Sequence, residues 1–320
     1  MAIRSLSSCG PINDAAYDAG KWLATAHSDG TVRIWSSGEL VAELVGHKAS
    51  VLCLSWAPVT SGPSTLASGA SDGQVVLWRE VRPGEWQNVY QKFVTGAVKA
   101  LAFSDPEPQL ILAIGGGDEL GVLTFLVELR RGAQGGDQWQ VKSIPAHGGG
   151  VLSLSWAPFS SPLVLATGPA VARGQTLGRA LAPVRRLATA GRDGRLLTWR
   201  IDARGENASQ EMVLDDGNGG GVAALASGSL WTAVAWRPNC GLPSQTLVAC
   251  SEDGQVSVLV QDAEGLPFGP RQSFDLGAVS PERIAWTKAG TLLAVALADS
   301  SVLFKESTGG KWTKVTTVVE

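Results

Sequence analysis

Two short motifs resemble parts of a serine hydrolase. Gly69–Gly73 matches the G-x-S-x-G pattern of a nucleophile elbow, and His147–Gly150 matches the H-G-G-G pattern of an oxyanion loop. An elbow requires a strand, a sharp turn and a helix, with the oxyanion loop earlier in the chain. Here the serine motif leads directly into the strand-like run Gln74–Trp78, and the glycine motif comes later. The context therefore argues against hydrolase chemistry.

The three histidines are the next candidates, because histidine is the usual general base and a common metal ligand. His47 and His147 hold matching places, four residues before Val51 and Val151, in two similar stretches of sequence. Matching places indicate a repeated structural role. His27 comes two residues before Asp29, at a predicted turn, and we expect it at the surface. No histidine is therefore assigned to catalysis.

The elements that position these residues are strands, repeated six times. Each block has a strand ending in an aromatic residue, a gap, an apolar strand, a turn aspartate and a third strand often ending in tryptophan. The turn aspartates are separated by 43, 46, 75, 60 and 46 residues, and they are Asp29, Asp72, Asp118, Asp193, Asp253 and Asp299. A four-stranded propeller blade repeats every ~40–45 residues. The sequence therefore predicts an all-β, six-bladed propeller in a single domain, 1–320, with blades over about 12–45, 46–93, 94–144, 145–215, 228–277 and 278–320.

The ends of the chain indicate an open ring. A tryptophan shortly after glycine opens the predicted fourth strands near Trp86 and Trp139, and again at Trp312 beside the C-terminus. The sixth block thus has its own fourth strand, and the first block has its own first strand near Asp14–Tyr17. The long fourth block carries a predicted insertion over 159–186, rich in Pro, Ala and Gly. Leu163–Gly168 within the insertion competes as a strand, but we favour Leu187–Ala190, because an Asp-Gly turn follows it.

Composition excludes several functions. The net charge is −3, without long basic runs, so nucleic acid and anionic membrane surfaces are not expected as partners. The longest uncharged stretches are broken by Pro and Gly, so direct membrane insertion is not expected. The glycine-rich stretches lack the ending of a phosphate-binding loop, and no cofactor or metal is predicted. The start of the chain lacks the apolar run of a signal peptide. The cysteines contain no C-x-x-C pair, so we expect buried thiols in a reducing compartment; they are Cys9, Cys53, Cys240 and Cys250.

The order of these motifs resembles the Sec-thirteen family of WD-repeat proteins along nearly the whole chain. The likeness lies in Gly46–Trp86, in the fourth block with its insertion, and in the closing run Ala285–Trp312. Three positions depart from the pattern: Phe103 replaces tryptophan, Asp118 is not followed by glycine, and Asp299 is followed by Ser300. In WD-repeat blades a histidine, a serine or threonine, the turn aspartate and a tryptophan form a hydrogen-bonded tetrad. The resemblance implies two tetrads here: His47, Ser68, Asp72, Trp78 and His147, Thr189, Asp193, Trp199. Blades without this histidine are expected to have incomplete networks.

The resemblance implies a non-enzymatic scaffold subunit of the COPII vesicle coat, in transport from the endoplasmic reticulum to the Golgi, and of the nuclear pore Y-shaped complex. An α-helical scaffold partner is expected to donate a β segment as a seventh blade. The implied locations are endoplasmic reticulum exit sites, COPII vesicles and the nuclear envelope. We expect the donated blade to contact Tyr17, Val32, Ile34, Leu293, Val302 and Phe304, although the sequence does not determine which alternate face of each strand points toward it.

Two alternatives stay open from the sequence. One is the related Seh-one type of nucleoporin or nutrient-signalling coat subunit. The other is a closed propeller that binds a peptide at its central channel. The second would need a seventh block or an N-terminal closing strand, and neither is evident in the sequence.

Overall fold

A computed structural model describes most of the chain. The described residues are 11–18, 20–58, 63–106, 109–117, 119, 121–130, 138–158, 184–202, 204–217, 229–238, 244–262, 266–277, 279–307 and 310–319. These residues form β-strands and turns and contain no helix. The chain divides into two compact units, Met1–Val151 and Leu152–Glu320. The single-domain assignment stays a prediction.

The first unit contains three antiparallel four-stranded sheets, each in simple sequence order. The first sheet has β1 (Ile12–Tyr17), β2 (Leu23–His27), β3 (Thr31–Ser36) and β4 (Glu39–Val45). The second has β5 (Val51–Trp56), β6 (Thr65–Ala70), β7 (Gln74–Arg82) and β8 (Glu85–Phe93). The third has β9 (Val98–Phe103), β10 (Ile111–Gly116), β11 (Val122–Arg130) and β12 (Gln138–Pro145).

The second unit repeats this organisation, although the first strand of its first sheet begins at Val151. The fourth sheet has β13 (Val151–Trp156), β14 (Arg185–Gly191), β15 (Arg195–Ile201) and β16 (Ala208–Asp216). The fifth has β17 (Trp231–Trp236), β18 (Gln245–Ser251), β19 (Gln255–Gln261) and β20 (Gly269–Asp275). The sixth has β21 (Arg283–Trp286), β22 (Leu292–Ala296), β23 (Ser300–Glu306) and β24 (Trp312–Val319). Six four-stranded blades confirm the predicted all-β propeller.

The second and third strands are joined by tight turns whose chemistry follows from Asp-Gly. The glycine has positive φ, between 73° and 87°, in four of these turns: Gly30, Gly73, Gly194 and Gly254. Such angles suit glycine because it has no Cβ to clash. At Asp29, Asp72 and Asp193, the carboxylate accepts the backbone N–H two residues later, at 2.9–3.1 Å. The Asp118 turn lies outside the described residues. At Asp299, where serine replaces glycine, Leu297 N–H donates to Ser300 O at 2.8 Å.

The core lies between neighbouring sheets of each unit. One apolar cluster lies between the facing surfaces of the first and second sheets, and another lies between those of the second and third sheets. In the second unit, the fourth and fifth sheets share a cluster, as do the fifth and sixth. The buried thiol of Cys53 lies in the second cluster, and burial raises the pKa of the Cys250 thiol. Cys9 and Cys240 lie outside the described residues.

The predicted boundary of the insertion in the fourth block is wrong at its C-terminal end. Strand β14 begins at Arg185, so the last two residues of the predicted loop 159–186 belong to the sheet and are buried. The choice of Leu187–Ala190 as strand is confirmed. The competing segment Leu163–Gly168 lies outside the described residues.

Candidate functional site

The second blade brings together three of the four residues of its predicted tetrad by hydrogen bonds. His47 Nε2 lies 2.6 Å from Ser68 Oγ, and Trp78 Nε1 donates to the same oxygen at 2.8 Å. All three side chains are buried. Asp72 accepts the Gln74 backbone N–H and acts on His47 through its charge. Burial lowers the pKa of His47, and the Asp72 charge opposes that shift. The arrangement favours a neutral histidine that connects strands.

Gly46 leaves room for the ring of Trp78, because glycine has no Cβ. A Cβ built on Gly46 would lie 2.7 Å from Trp78 Cη2. We expect Gly46→Ala to reduce the free energy of unfolding by roughly 1–3 kcal/mol, because a well-packed ring cannot absorb an added methyl group without strain. Urea denaturation of the purified protein measures the effect.

Gly269→Ala is the matched control for this substitution. A Cβ on Gly269, in β20, would meet nothing within 4 Å. Its stability should stay within ~0.5 kcal/mol of the wild type. Equal effects of the two substitutions would contradict a specific contact between Gly46 and Trp78.

The first blade contains a network that the sequence did not predict. Trp35 Nε1 donates to Thr25 Oγ1 at 2.9 Å, and Thr25 Oγ1 lies 2.8 Å from His27 Nε2. Arg33 extends the network, with Nη1 3.3 Å from His27 Nδ1 and Nη2 donating to Asp29 at 3.0 Å. His27 is only 2% exposed, so its prediction as a surface residue is wrong. Burial lowers the pKa of His27, and Arg33 adds to that effect.

The fourth-blade tetrad is described in two parts, because its residues fall in different units. In the second unit, Trp199 Nε1 donates to Thr189 Oγ1 at 2.8 Å, and Asp193 accepts the Arg195 backbone N–H at 3.1 Å. In the first unit, His147 is buried. Participation of His147 in the tetrad stays a prediction.

In the third, fifth and sixth blades, apolar residues lie at the two positions that Ser68 and Trp78 hold in the second blade. By strand register these pairs are Ile114 with Leu126, Ala249 with Leu259, and Val295 with Phe304. Each residue is buried. In these three blades, apolar packing therefore occupies the places that hydrogen bonds hold in the second blade.

The first and sixth blades differ from the others in how their faces are covered. In β6, β10 and β14 every residue is buried, so both faces are covered. In β3, Val32 and Ile34 are buried whereas Thr31 and Arg33 are half-buried. In β22 and β23, half-buried residues likewise alternate with buried ones. The sixth sheet therefore has one well-covered face and one more exposed face. In the first sheet, Ala15 and Tyr17 of β1 are exposed on the second face, whereas Thr25 and His27 of β2 are buried.

This alternation corrects the predicted contacts with a donated blade. Val32 and Ile34 pack in the cluster shared with the second sheet, and Leu293, Val302 and Phe304 pack in the cluster shared with the fifth. All five residues are at most 2% exposed and cannot meet another chain in this structure. Tyr17, on the other face of the first sheet, is 64% exposed. The residues of β21, β22 and β23 on the more exposed face of the sixth sheet form what we call the outer face of blade six. They are Ala285, Leu292, Ala294, Ala296, Ser301 and Leu303, with the exposed charged residues Arg283 and Lys305 at its ends.

Two buried arginines join neighbouring blades at positions that the sequence did not indicate. Arg186 Nε donates to Glu211 at 2.7 Å, and Arg186 Nη1 lies 2.6 Å from the side-chain oxygens of both Gln245 and Gln261. Arg237 pairs with Glu306 at 2.5 Å between the fifth and sixth blades. Each guanidinium also lies over an aromatic ring. Such networks fix the placement of one blade on the next.

The described part of the chain has no group of three or more His, Cys, Asp or Glu side chains placed to hold a metal ion. It also has no helix with the length and apolar character needed to cross a membrane.

The repeated blades and their tryptophan networks define a WD-repeat β-propeller. A family model described as "WD domain, G-beta repeat" matches residues 3–36 and 38–79. The chain belongs to the SEC13 family. It is 32% identical over 330 residues to "Protein transport protein SEC13" of Cryptococcus neoformans, covering 94% of this chain and 92% of that protein. It is also 32% identical over 315 residues to "Protein SEC13 homolog" of Drosophila melanogaster, covering 95% and 80%.

Solved structures agree on the fold. A chain in the crystal structure of the Mitotic Checkpoint Complex superimposes with a TM-score of 0.61 at 18% identity, covering 89% of this chain and 74% of that one. Saccharomyces cerevisiae Sqt1 gives a TM-score of 0.65 at 15% identity, covering 97% and 74%. At such low identity, these likenesses establish the propeller fold alone.

Proposed function

We propose that this protein is a non-catalytic scaffold subunit in protein transport, acting in the COPII vesicle coat and in the nuclear pore Y-shaped complex. An α-helical scaffold protein binds it by donating a β segment as a seventh blade. The names of its relatives support the transport role, since several are called protein transport proteins. The assemblies place the protein at endoplasmic reticulum exit sites, on COPII vesicles and at the nuclear envelope.

The observation that carries the proposal is the outer face of blade six. Ala285 is exposed, and Leu292, Ala294, Ala296 and Leu303 are half-buried, whereas β6, the strand of the second blade that corresponds to β22, is buried at every position. Small and apolar side chains on an uncovered sheet face are suited to packing against another sheet. Propeller blades pack in this way on their neighbours, so a donated blade is the matching occupant.

A non-catalytic role is supported by the state of the histidines. His27 and His47 are buried and bonded to a threonine and a serine that also accept a tryptophan N–H. Their pKa values are lowered mainly by burial. These contacts join strands within a blade and within its unit. The net charge of −3 supports a protein partner over nucleic acid or an anionic membrane.

Co-expression tests the proposal. The full chain is produced with the N-terminal β segment of the COPII outer-coat scaffold, and separately with the β segment of the Y-complex scaffold. We expect at least one 1:1 complex that survives size-exclusion chromatography and melts at a higher temperature than the chain alone, because a ligand that binds the native state stabilises it. A folded, monomeric chain that binds neither segment would contradict the proposal.

A further inference from the structure

The first strand of each blade, which we call its inner strand, has backbone amides that point away from its own sheet. This strand pairs on one side only, so alternate N–H groups have no partner within the sheet. In the second blade, Ala57 N–H, just after β5, donates to Thr65 O at the start of β6. Successive N–H groups of a strand point in opposite directions, so those of Leu54 and Trp56 point away from β6.

Side chains of the preceding blade accept four amides of this kind, one of which is Leu54 N–H. Leu54 N–H donates to Asp14 Oδ2 at 2.8 Å, and Phe103 N–H donates to Ser55 Oγ at 3.1 Å. In the second unit, Val234 N–H donates to Ser153 Oγ at 3.1 Å and Trp236 N–H to Ser155 Oγ at 3.0 Å. We call each such bond an amide rung. In every case the acceptor lies on the inner strand of the blade that comes before.

Strand β1 has the same two amides. Asp18 N–H bonds to Trp22 O at 2.8 Å, as Ala57 N–H does to Thr65 O, so the N–H groups of Ala15 and Tyr17 point away from β2. Among the described residues of its unit, no sheet comes before the first one. Ala15 N–H donates to Asp14 Oδ1 of its own strand at 3.0 Å, an exposed bond that a rung from a donated strand would replace. Both Ala15 and Tyr17 are exposed.

We propose, building on the proposed function, that the inner strand of the donated blade carries Ser, Thr or Asp at two alternate positions. Their side-chain oxygens accept the N–H groups of Ala15 and Tyr17 as two further amide rungs. Ser and Asp are the residues that form the rungs already described. Because side chains alternate between faces, a one-residue slip would turn both oxygens away. The two rungs therefore set the register of the donated strand.

Two inner strands of the second unit carry no rung acceptor. Arg283 and Ala285 of β21 hold the places that Ser153 and Ser155 hold in β13, and neither side chain offers an acceptor oxygen. Ala233 and Ala235 hold the same places in β17. Amide rungs therefore depend on Ser or Asp at these two places of the inner strand.

A pair of substitutions at Tyr17 isolates the amide. Tyr17→Pro removes both the side chain and the N–H, whereas Tyr17→Ala removes the side chain only. Binding of the full chain to the scaffold β segment is measured by isothermal titration. We expect Tyr17→Pro to bind about five- to tenfold more weakly than Tyr17→Ala, the effect of one lost hydrogen bond. Circular dichroism checks that both variants keep the β fold of the wild type.

Amide exchange provides a second measurement on the unmodified chain. Hydrogen exchange at Ala15 and Tyr17 should slow at least tenfold when the segment binds. Replacing the hydroxyl and carboxyl residues of the segment's inner strand by alanine should restore fast exchange. Tight binding without slower exchange at either amide, or equal affinities of the two Tyr17 variants, would overturn the rungs and leave the proposed function standing. Failure of the segment to bind at all would overturn both.

Discussion

Replacing Ala285 by glutamate is expected to weaken binding of the donated blade at least about thirtyfold. Ala285 is exposed on the outer face of blade six, so the charge is hydrated in the free protein. In the complex, a sheet packed on that face would remove the carboxylate from water beside the apolar side chains of Ala294 and Leu303. Leaving one charge unpaired in an interface costs about 2–5 kcal/mol, which corresponds to a loss of thirtyfold to several thousandfold in affinity.

Val315→Glu is the matched control for Ala285→Glu. Val315 belongs to the outermost strand β24 and is 55% exposed, so it tests for a general effect of added negative charge on the sixth blade. Both variants should melt within about 2 °C of the wild type, because surface substitutions change stability little. Isothermal titration with the scaffold segment separates the two. If Ala285→Glu bound as tightly as Val315→Glu, the outer face of blade six would not be the docking surface.

The repeat was readable from the sequence because its signals are local. Period-2 alternation, Asp-Gly turns and tryptophans at fixed places predict strands wherever they occur, and the observed strands follow them closely. Which face of a strand is covered depends instead on the neighbouring sheet. Val32 and Ile34 alternate with Arg33, yet only the packed sheets show that the apolar pair faces the second blade. Five of the six predicted docking residues are wrong for this reason, whereas Tyr17 is exposed.

The error at His27 has a different cause. A histidine two residues before a turn aspartate suggests a solvated position. However, His27 is also two residues after Thr25 on β2, and residues at that spacing share a face of the strand. Thr25 lies at the place that corresponds to Ser68, so this spacing was the signal that would have linked His27 to a network.

The predicted end of the insertion at residue 186 is wrong because the local composition around Arg185 and Arg186 resembles that of a solvated loop. Two consecutive arginines after a Pro- and Ala-rich run look like the end of a solvated loop, since arginine is almost never fully buried unless paired. The partners of Arg186 are far away in the sequence, at Glu211, Gln245 and Gln261. No local pattern reveals them, so a single sequence could not assign Arg186 to the core.

Arg186→Ala is expected to cost about 3–5 kcal/mol of unfolding free energy, the cost of breaking a buried ion pair by removing one partner. The guanidinium is bonded to Glu211, whose side chain is only 7% exposed, and its carbon lies 5.2 Å from the centre of the Trp236 ring. Truncation leaves the carboxylate of Glu211 buried without its close partner, and two glutamine oxygens lose a charged donor. Thermal and urea denaturation measure the loss.

Arg200→Ala provides the comparison, because Arg200 is 3.9 Å from the same carboxylate but its side chain is 44% exposed. A partly exposed pair at that distance should contribute less than ~1 kcal/mol. The double variant Arg186→Met with Glu211→Met should recover much of the lost stability, because it removes both charges and keeps apolar volume beside Trp236. If Arg186→Ala were no more costly than Arg200→Ala, the buried network would not hold the fifth blade on the fourth, and apolar packing alone would account for that junction.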